Sequence, residues 1–222
     1  CIPDDDSSSE RQIDMTPICL PSIPELRAAA QSLAMLDAVL CPEWQYRYFS
    51  FNRAWAPGME MASMRNGSGD DWFVLFDSVG AALKGFAHEL TDDKTFSAKL
   101  QVQVPCEFSA FLSEPAFSMQ DATFCYWRKA DDSAWNKVHG TFQDDGSADL
   151  LSLLVGGPSG YQAWAESYYE IPVDHQAVST VFGHAPLSDA IILALNPDAE
   201  VDVTYRDAAE IGYPLGTDRT LG

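Results

Sequence analysis

The chain is predicted to be an α+β protein: an antiparallel meander of about four to five strands, preceded by one helix and followed by a mainly helical C-terminal half. Two observations predict this. Strand-like segments fall in the first part of the chain and helical periodicity dominates after Ser147, an order that favours segregated α+β layers over alternating α/β units. The strand-like segments are also joined by short polar turns, and sequential strands so connected pair with their neighbours.

Residues 1–24 are rich in Asp, Ser and Pro and read as an extended arm ahead of a single domain spanning 25–222. Over 25–40, Leu26, Ala29, Ala30, Leu33, Leu36, Ala38 and Leu40 recur at helical spacing, and Pro42 follows as a stop. The next block, with Trp44, Tyr46, Tyr48, Phe49 and Phe51, has the aromatic density and alternation of a strand. Three more strands are predicted at 59–64, 72–76 and 81–87, and a fifth at 123–127. Between the last two lie a polar stretch and a short helix at 105–112, and 131–146 reads as loop. Helices are then predicted at 149–154, 161–169, 174–182, 187–195 and 205–211, punctuated by Gly156-Gly157-Pro158, Ile171-Pro172, Ala185-Pro186 and Asn196-Pro197.

A length of 222 residues fits one large domain, and 46% hydrophobic residues can fill its core. The charge is lopsided: 33 acidic against 13 basic side chains leave a net charge of -20. Phosphate recognition needs clustered Lys and Arg, and no basic run occurs, so nucleic acid is excluded as a partner; an anionic membrane surface would be repelled in the same way. Such a field attracts a basic partner and raises its encounter rate, besides keeping the chain soluble. No apolar run is long enough to span a bilayer.

The five cysteines form no CxxC pair, which argues against a zinc site, and Cys41, Cys106 and Cys125 read as buried free thiols. The chain begins at Cys1, followed by an acidic Asp-Ser stretch. That pattern would suit a lipoprotein tethered through an acylated Cys1, as an envelope alternative to a cytoplasmic location.

The densest local signal is MASMRNGSGDDWFVLF, residues 61–76. A phosphate loop would need GxxxxGK[ST] opening a helix, but here two aspartates and a strand follow Gly69; a calcium loop would need alternating acids and a terminal Glu. Asn66-Gly67 and Gly69 adopt positive φ cheaply, so the stretch is expected to be a hairpin loop. No cofactor and no metal is implied.

Four acidic pairs recur in predicted turns: Asp70-Asp71, Asp92-Asp93, Asp131-Asp132 and Asp144-Asp145. Each suits a bend through side-chain to backbone hydrogen bonds. If the loops gather on one edge of the sheet, these residues, with Arg65 and Asn66, form an acidic partner-binding face. His88-Glu89 lacks the second histidine of HExxH, because position 92 is Asp, and no GxSxG occurs. No residue is assigned a catalytic role, although a metal-dependent hydrolase using Asp70, Asp71, His88 and Glu89 is the alternative from another class. Tyr161, Trp164, Tyr168 and Tyr169 share one helical face, which is either core or, if exposed, an anchor for another protein.

The segments SLAMLDAVL, YRYFSFN, MASMRNGSGDDWFVLF, GAALKGFAHE, FLSEPAFSMQDATFCYWRK and YQAWAESYYEI together resemble a family of acidic bacterial proteins without an assigned activity, over about residues 25–214. In general character such proteins are similar to the immunity proteins encoded beside bacterial toxins. The family carries over no chemistry; from that likeness of character and from the acidic charge, the expected function is a non-enzymatic protein-binding module, an immunity factor occluding a basic toxin domain.

Overall fold

The computed structural model describes residues 18–90, 95–140 and 144–216. The fold is α+β, with six strands rather than four or five. Helix α1 (Ile23–Leu40) starts at a capping box in which the Ser22 side chain accepts from the Glu25 amide and Glu25 reaches back to Ser22. Strands β1 (Phe49–Ala56), β2 (Met59–Arg65), β3 (Asp71–Phe76), β4 (Gly80–Phe86), β5 (Phe124–Lys129) and β6 (Asn136–Lys137) form one antiparallel sheet in chain order. Two-residue β6 lies within the stretch expected to be loop.

Each strand sends alternate residues to opposite faces, and both faces are covered except over part of β1 and β2. Phe49, Phe51, Met64, Trp72, Val74, Leu83, Phe124 and Tyr126 point to a large core shared with α1 and the C-terminal helices α5 (Ser152–Tyr169), α6 (His175–Phe182), α7 (Asp189–Leu195) and α8 (Val201–Ile211). Met61, Phe73, Leu75, Ala82 and Cys125 point to a smaller core. That core is roofed by α2 (Phe96–Gln103), α3 (Ser109–Leu112) and the short 3-10 turns up to Asp121. The short helix α4 (Ser147–Leu150) precedes α5.

Several expectations are corrected. The aromatic block does not form one strand: Trp44–Tyr46 is a 3-10 turn and β1 starts at Phe49. The cause is the buried Asp37 of α1, whose Oδ2 accepts the backbone N–H groups of Tyr48 at 2.9 Å and Phe49 at 2.8 Å and so fixes where the strand begins. Residues 18–22 are not part of a free arm, since Leu20 is buried and the Pro21 carbonyl accepts the Trp135 indole N–H at 2.6 Å. The rest of the proposed arm and Cys1 lie outside the described residues. Of the three thiols expected to be buried only Cys125 is; Cys41 is half-buried and Cys106 exposed, and all three are free. Helix α2 falls in a stretch that shows almost no periodicity, because only Phe96 and Leu100 of it are buried. The predicted break at Gly156-Gly157-Pro158 is present as a kink, with Gly157 at φ 65°, ψ -165° inside α5.

Candidate functional site

The residues 66–70 close the β2–β3 hairpin. Asn66 Oδ1 accepts the amides of Ser68 and Asp70, and Gly67 and Gly69 take positive φ, so the turn is fully explained by local hydrogen bonding. Asp70 then reaches across the sheet end: its Oδ1 accepts the backbone N–H of His88 at 2.8 Å and lies 2.7 Å from His88 Nδ1. Partial burial alone would raise the Asp70 pKa, but the two His88 contacts and Asn66 hold it below the usual carboxylate range, and the same hydrogen bond raises that of His88.

Asp71 has a different commitment. On the face of the smaller core it lies diagonally across from Lys84, whose side chain is 0% exposed and whose Nζ donates to Asp71 Oδ1 at 2.6 Å between the Phe73 and Phe86 rings. Burial lowers the Lys84 pKa and raises that of Asp71, each shift opposed by the partner's charge. Because Asp71 retains contact with water and Lys84 has none, removal of the two partners is expected to be unequal. Asp71→Asn, which strands a buried ammonium, should cost about 3 kcal/mol, whereas Lys84→Met should stay within about 1–2 kcal/mol of the wild type in urea unfolding.

Of the acidic pairs among the described residues, two share one end of the sheet and the third lies at the other. Asp145 forms an ion pair with Lys137 at 2.7 Å, and its carbonyl accepts the Thr123 hydroxyl near the end of β4, the sheet end that also holds Asp70 and Asp71. Asp144 caps the Gly146 amide. Asp131 and Asp132 sit in the β5–β6 turn at the opposite end, one strand length or ~20 Å away. There Asp132 accepts the Lys129 amide and its carbonyl accepts Arg128 Nε. Asp92 and Asp93 lie outside the described residues. The single acidic face therefore fails for Asp131 and Asp132. Among the described residues no three His, Cys, Asp or Glu side chains come together as metal ligands.

What sequence reasoning missed is a groove of about 590 Å³ over the open face of β1 and β2, where the helical roof of the smaller core stops short. Its floor consists of Ser50 and Asn52 from β1 with Met61, Ser63 and Arg65 from β2, paired across the strands as Ser50 with Ser63 and Asn52 with Met61. Its walls are aromatic. Trp44 and Tyr46 of the 3-10 turn are each 63% exposed; Trp55 stacks on Phe117; Tyr168 of α5, 48% exposed, stacks on Trp164 and meets Tyr48 edge-on. The aromatic helical stripe thus runs from core to surface, with Tyr161 fully buried and Tyr168 at the rim. Gly67 of the hairpin loop forms part of the lip at one end, and Glu210 of α8 also lines the groove.

No protein-family model, no curated protein and no solved structure matches this chain. Among the described residues no helix is long and apolar enough to cross a membrane.

Proposed function

We propose that this chain is a binding module that docks another protein in the groove on β1 and β2, in the manner of an immunity factor occluding a basic toxin domain. The groove carries the reading. Trp and Tyr provide large rigid contact surfaces at low entropic cost, Ser and Asn provide adaptable hydrogen bonding, and Arg provides a hot-spot charge; this is the composition of a protein-recognition surface. Trp44, Tyr46 and Tyr168 all line this one groove and remain exposed, which gathers apolar surface on one face as a docking site does. The surplus of 20 negative charges supports the choice of a basic partner, steering encounter while the aromatic anchors slow dissociation.

The test is amide hydrogen exchange on the complex with a partner isolated from the native host. Protection over residues 44–52 and 61–67, with association that slows as salt is raised from about 0.05 to 0.5 M, is the expected result. Protection confined to the Asp131–Asp132 turn, or an association rate indifferent to salt, would contradict it.

A further inference from the structure

The groove contains a feature that selects part of its occupant. Arg65 lines it and carries a guanidinium without an ion-pair or hydrogen-bond partner among the described residues; its side-chain contact is the face of the Phe73 ring, 5.4 Å away. In a chain with 33 carboxylates this is unexpected, and the cause is local. Asp71, opposite it on β3, feels the Arg65 charge through space, which opposes the upward pull of burial on its pKa, but its hydrogen bond goes to Lys84, and Asp70 is held by His88 and Asn66. The other arginine of the groove, Arg47, is bound to Asp207 at 2.7 Å.

Two positions along the same face of β2 lies Ser63. The residue is 5% exposed and lines the groove, yet its hydroxyl has no hydrogen-bond partner among the described residues. Residues two apart on a strand are separated by ~7 Å, so a forked guanidinium and a hydroxyl so placed can both donate to one carboxylate seated between them. Arg65 has no acceptor group and Ser63 supplies a donor, so an anionic planar acceptor satisfies both. Glu210 gives the groove a negative wall group besides this positive one, which would fix the direction in which a segment lies.

From this we infer that the groove seats an extended segment of the partner protein that presents an aspartate or glutamate side chain to Arg65 and Ser63, flanked by apolar or aromatic residues against Trp44, Tyr46 and Tyr168. The inference rests on the docking reading above and deepens it. A carboxylate anchor on an otherwise basic partner also confers specificity, because a basic surface lacking it would leave Arg65 facing like charge.

The test uses random twelve-residue peptides displayed on phage, selected on the intact protein, then synthesised with a fluorophore and titrated by polarisation against the wild type, Arg65→Gln, Ser63→Ala and Trp44→Ala. Selected peptides should carry Asp or Glu next to apolar residues. Amidation of that acid in the peptide, or Arg65→Gln in the protein, should each weaken binding about tenfold or more, and the two changes together should weaken it little further. Arg65 is exposed, so its loss should leave the circular dichroism and unfolding midpoint unchanged. If Trp44→Ala weakens binding while Arg65→Gln and amidation do not, the carboxylate inference is overturned and the docking groove stands. If no peptide is recovered, or if those recovered bind Trp44→Ala as well as the wild type, both are overturned.

Discussion

Asp37→Ala is expected to destabilise the protein by about 3–5 kcal/mol in urea unfolding, a large fraction of the ~5–15 kcal/mol typical of a folded domain. The carboxyl group is fully buried in α1. It accepts the Tyr48 and Phe49 amides on Oδ2 and the Tyr161 hydroxyl at 2.8 Å on Oδ1. Alanine leaves these three buried donors unmatched and also unfastens the point where β1 begins. The buried Tyr169 hydroxyl lies close to the same carboxyl group without completing a hydrogen bond of good geometry, so alanine takes that acceptor from it as well.

The same group sets a pH dependence. Burial pushes the Asp37 pKa up to about 6, against the opposing pull of the Phe49, Tyr161, Tyr169 and Tyr48 donors. The folded state therefore binds a proton more readily than the unfolded state. Its contribution to stability is full below the unfolded value near 4, declines as pH rises to about 6, and is constant above that. A difference of about two pKa units corresponds to roughly 3 kcal/mol. Asp37→Asn, which keeps an acceptor for the two amides and carries no charge, should flatten the stability profile between pH 4 and 6. An unchanged profile in that variant would assign the dependence to other groups.

Gly85→Ala is expected to cost about 3 kcal/mol or more, with Gly85→Val failing to accumulate as folded protein. Gly85 pairs with Trp72 on one side and Phe124 on the other, and the Phe124 ring lies over it. A Cβ at this position would fall 2.0 Å from Phe124 Cζ and 2.4 Å from Cε1. Phe124 is 0% exposed, so the ring has nowhere to move without displacing its neighbours in the core. Thermal unfolding of Gly85→Ala measures the effect. A second variant, Gly85→Ala with Phe124→Leu, should recover part of the loss by making room; no recovery would show that the strand backbone rather than the ring is the limiting contact.

The parts of the fold that were legible in the sequence are those whose signal is local. The Asn66-Gly67 and Gly69 turn, the helix read over 25–40 and the Pro158 break each depend on residues within a few positions of one another. The start of β1 was read past, although the aromatic alternation changes phase there, from Trp44, Tyr46 and Tyr48 to Phe49 and Phe51. What divides it is a carboxylate from another helix. The burial of Lys84 was hidden for a similar reason: a lysine in a strand ordinarily faces water, and only the register that sets it diagonally across from Asp71 encloses it.

The groove was the least legible feature. It draws on residues from Trp44 to Glu210, and its aromatic groups individually resemble core residues. The Tyr161 to Tyr169 stripe held the available clue, since both of its readings apply to different residues: Tyr161 is core and Tyr168 is rim. The acidic pairs, more conspicuous in sequence, are mostly spent on neighbouring amides and cations. Arg65, by contrast, is conspicuous only once its neighbours are seen to be committed elsewhere.

The central claim is that the exposed aromatic groove, and not the acidic turns, holds the partner. It is tested most directly by the equilibrium affinity of Trp44→Ala, compared with Asp131→Asn/Asp132→Asn, for the partner isolated from the native host. Trp44→Ala should weaken binding by at least ~30-fold, the loss of a hot-spot anchor, while the paired aspartate variant should change it less than ~3-fold. Equal affinity of Trp44→Ala and the wild type, with a large loss in the aspartate variant, would contradict the account.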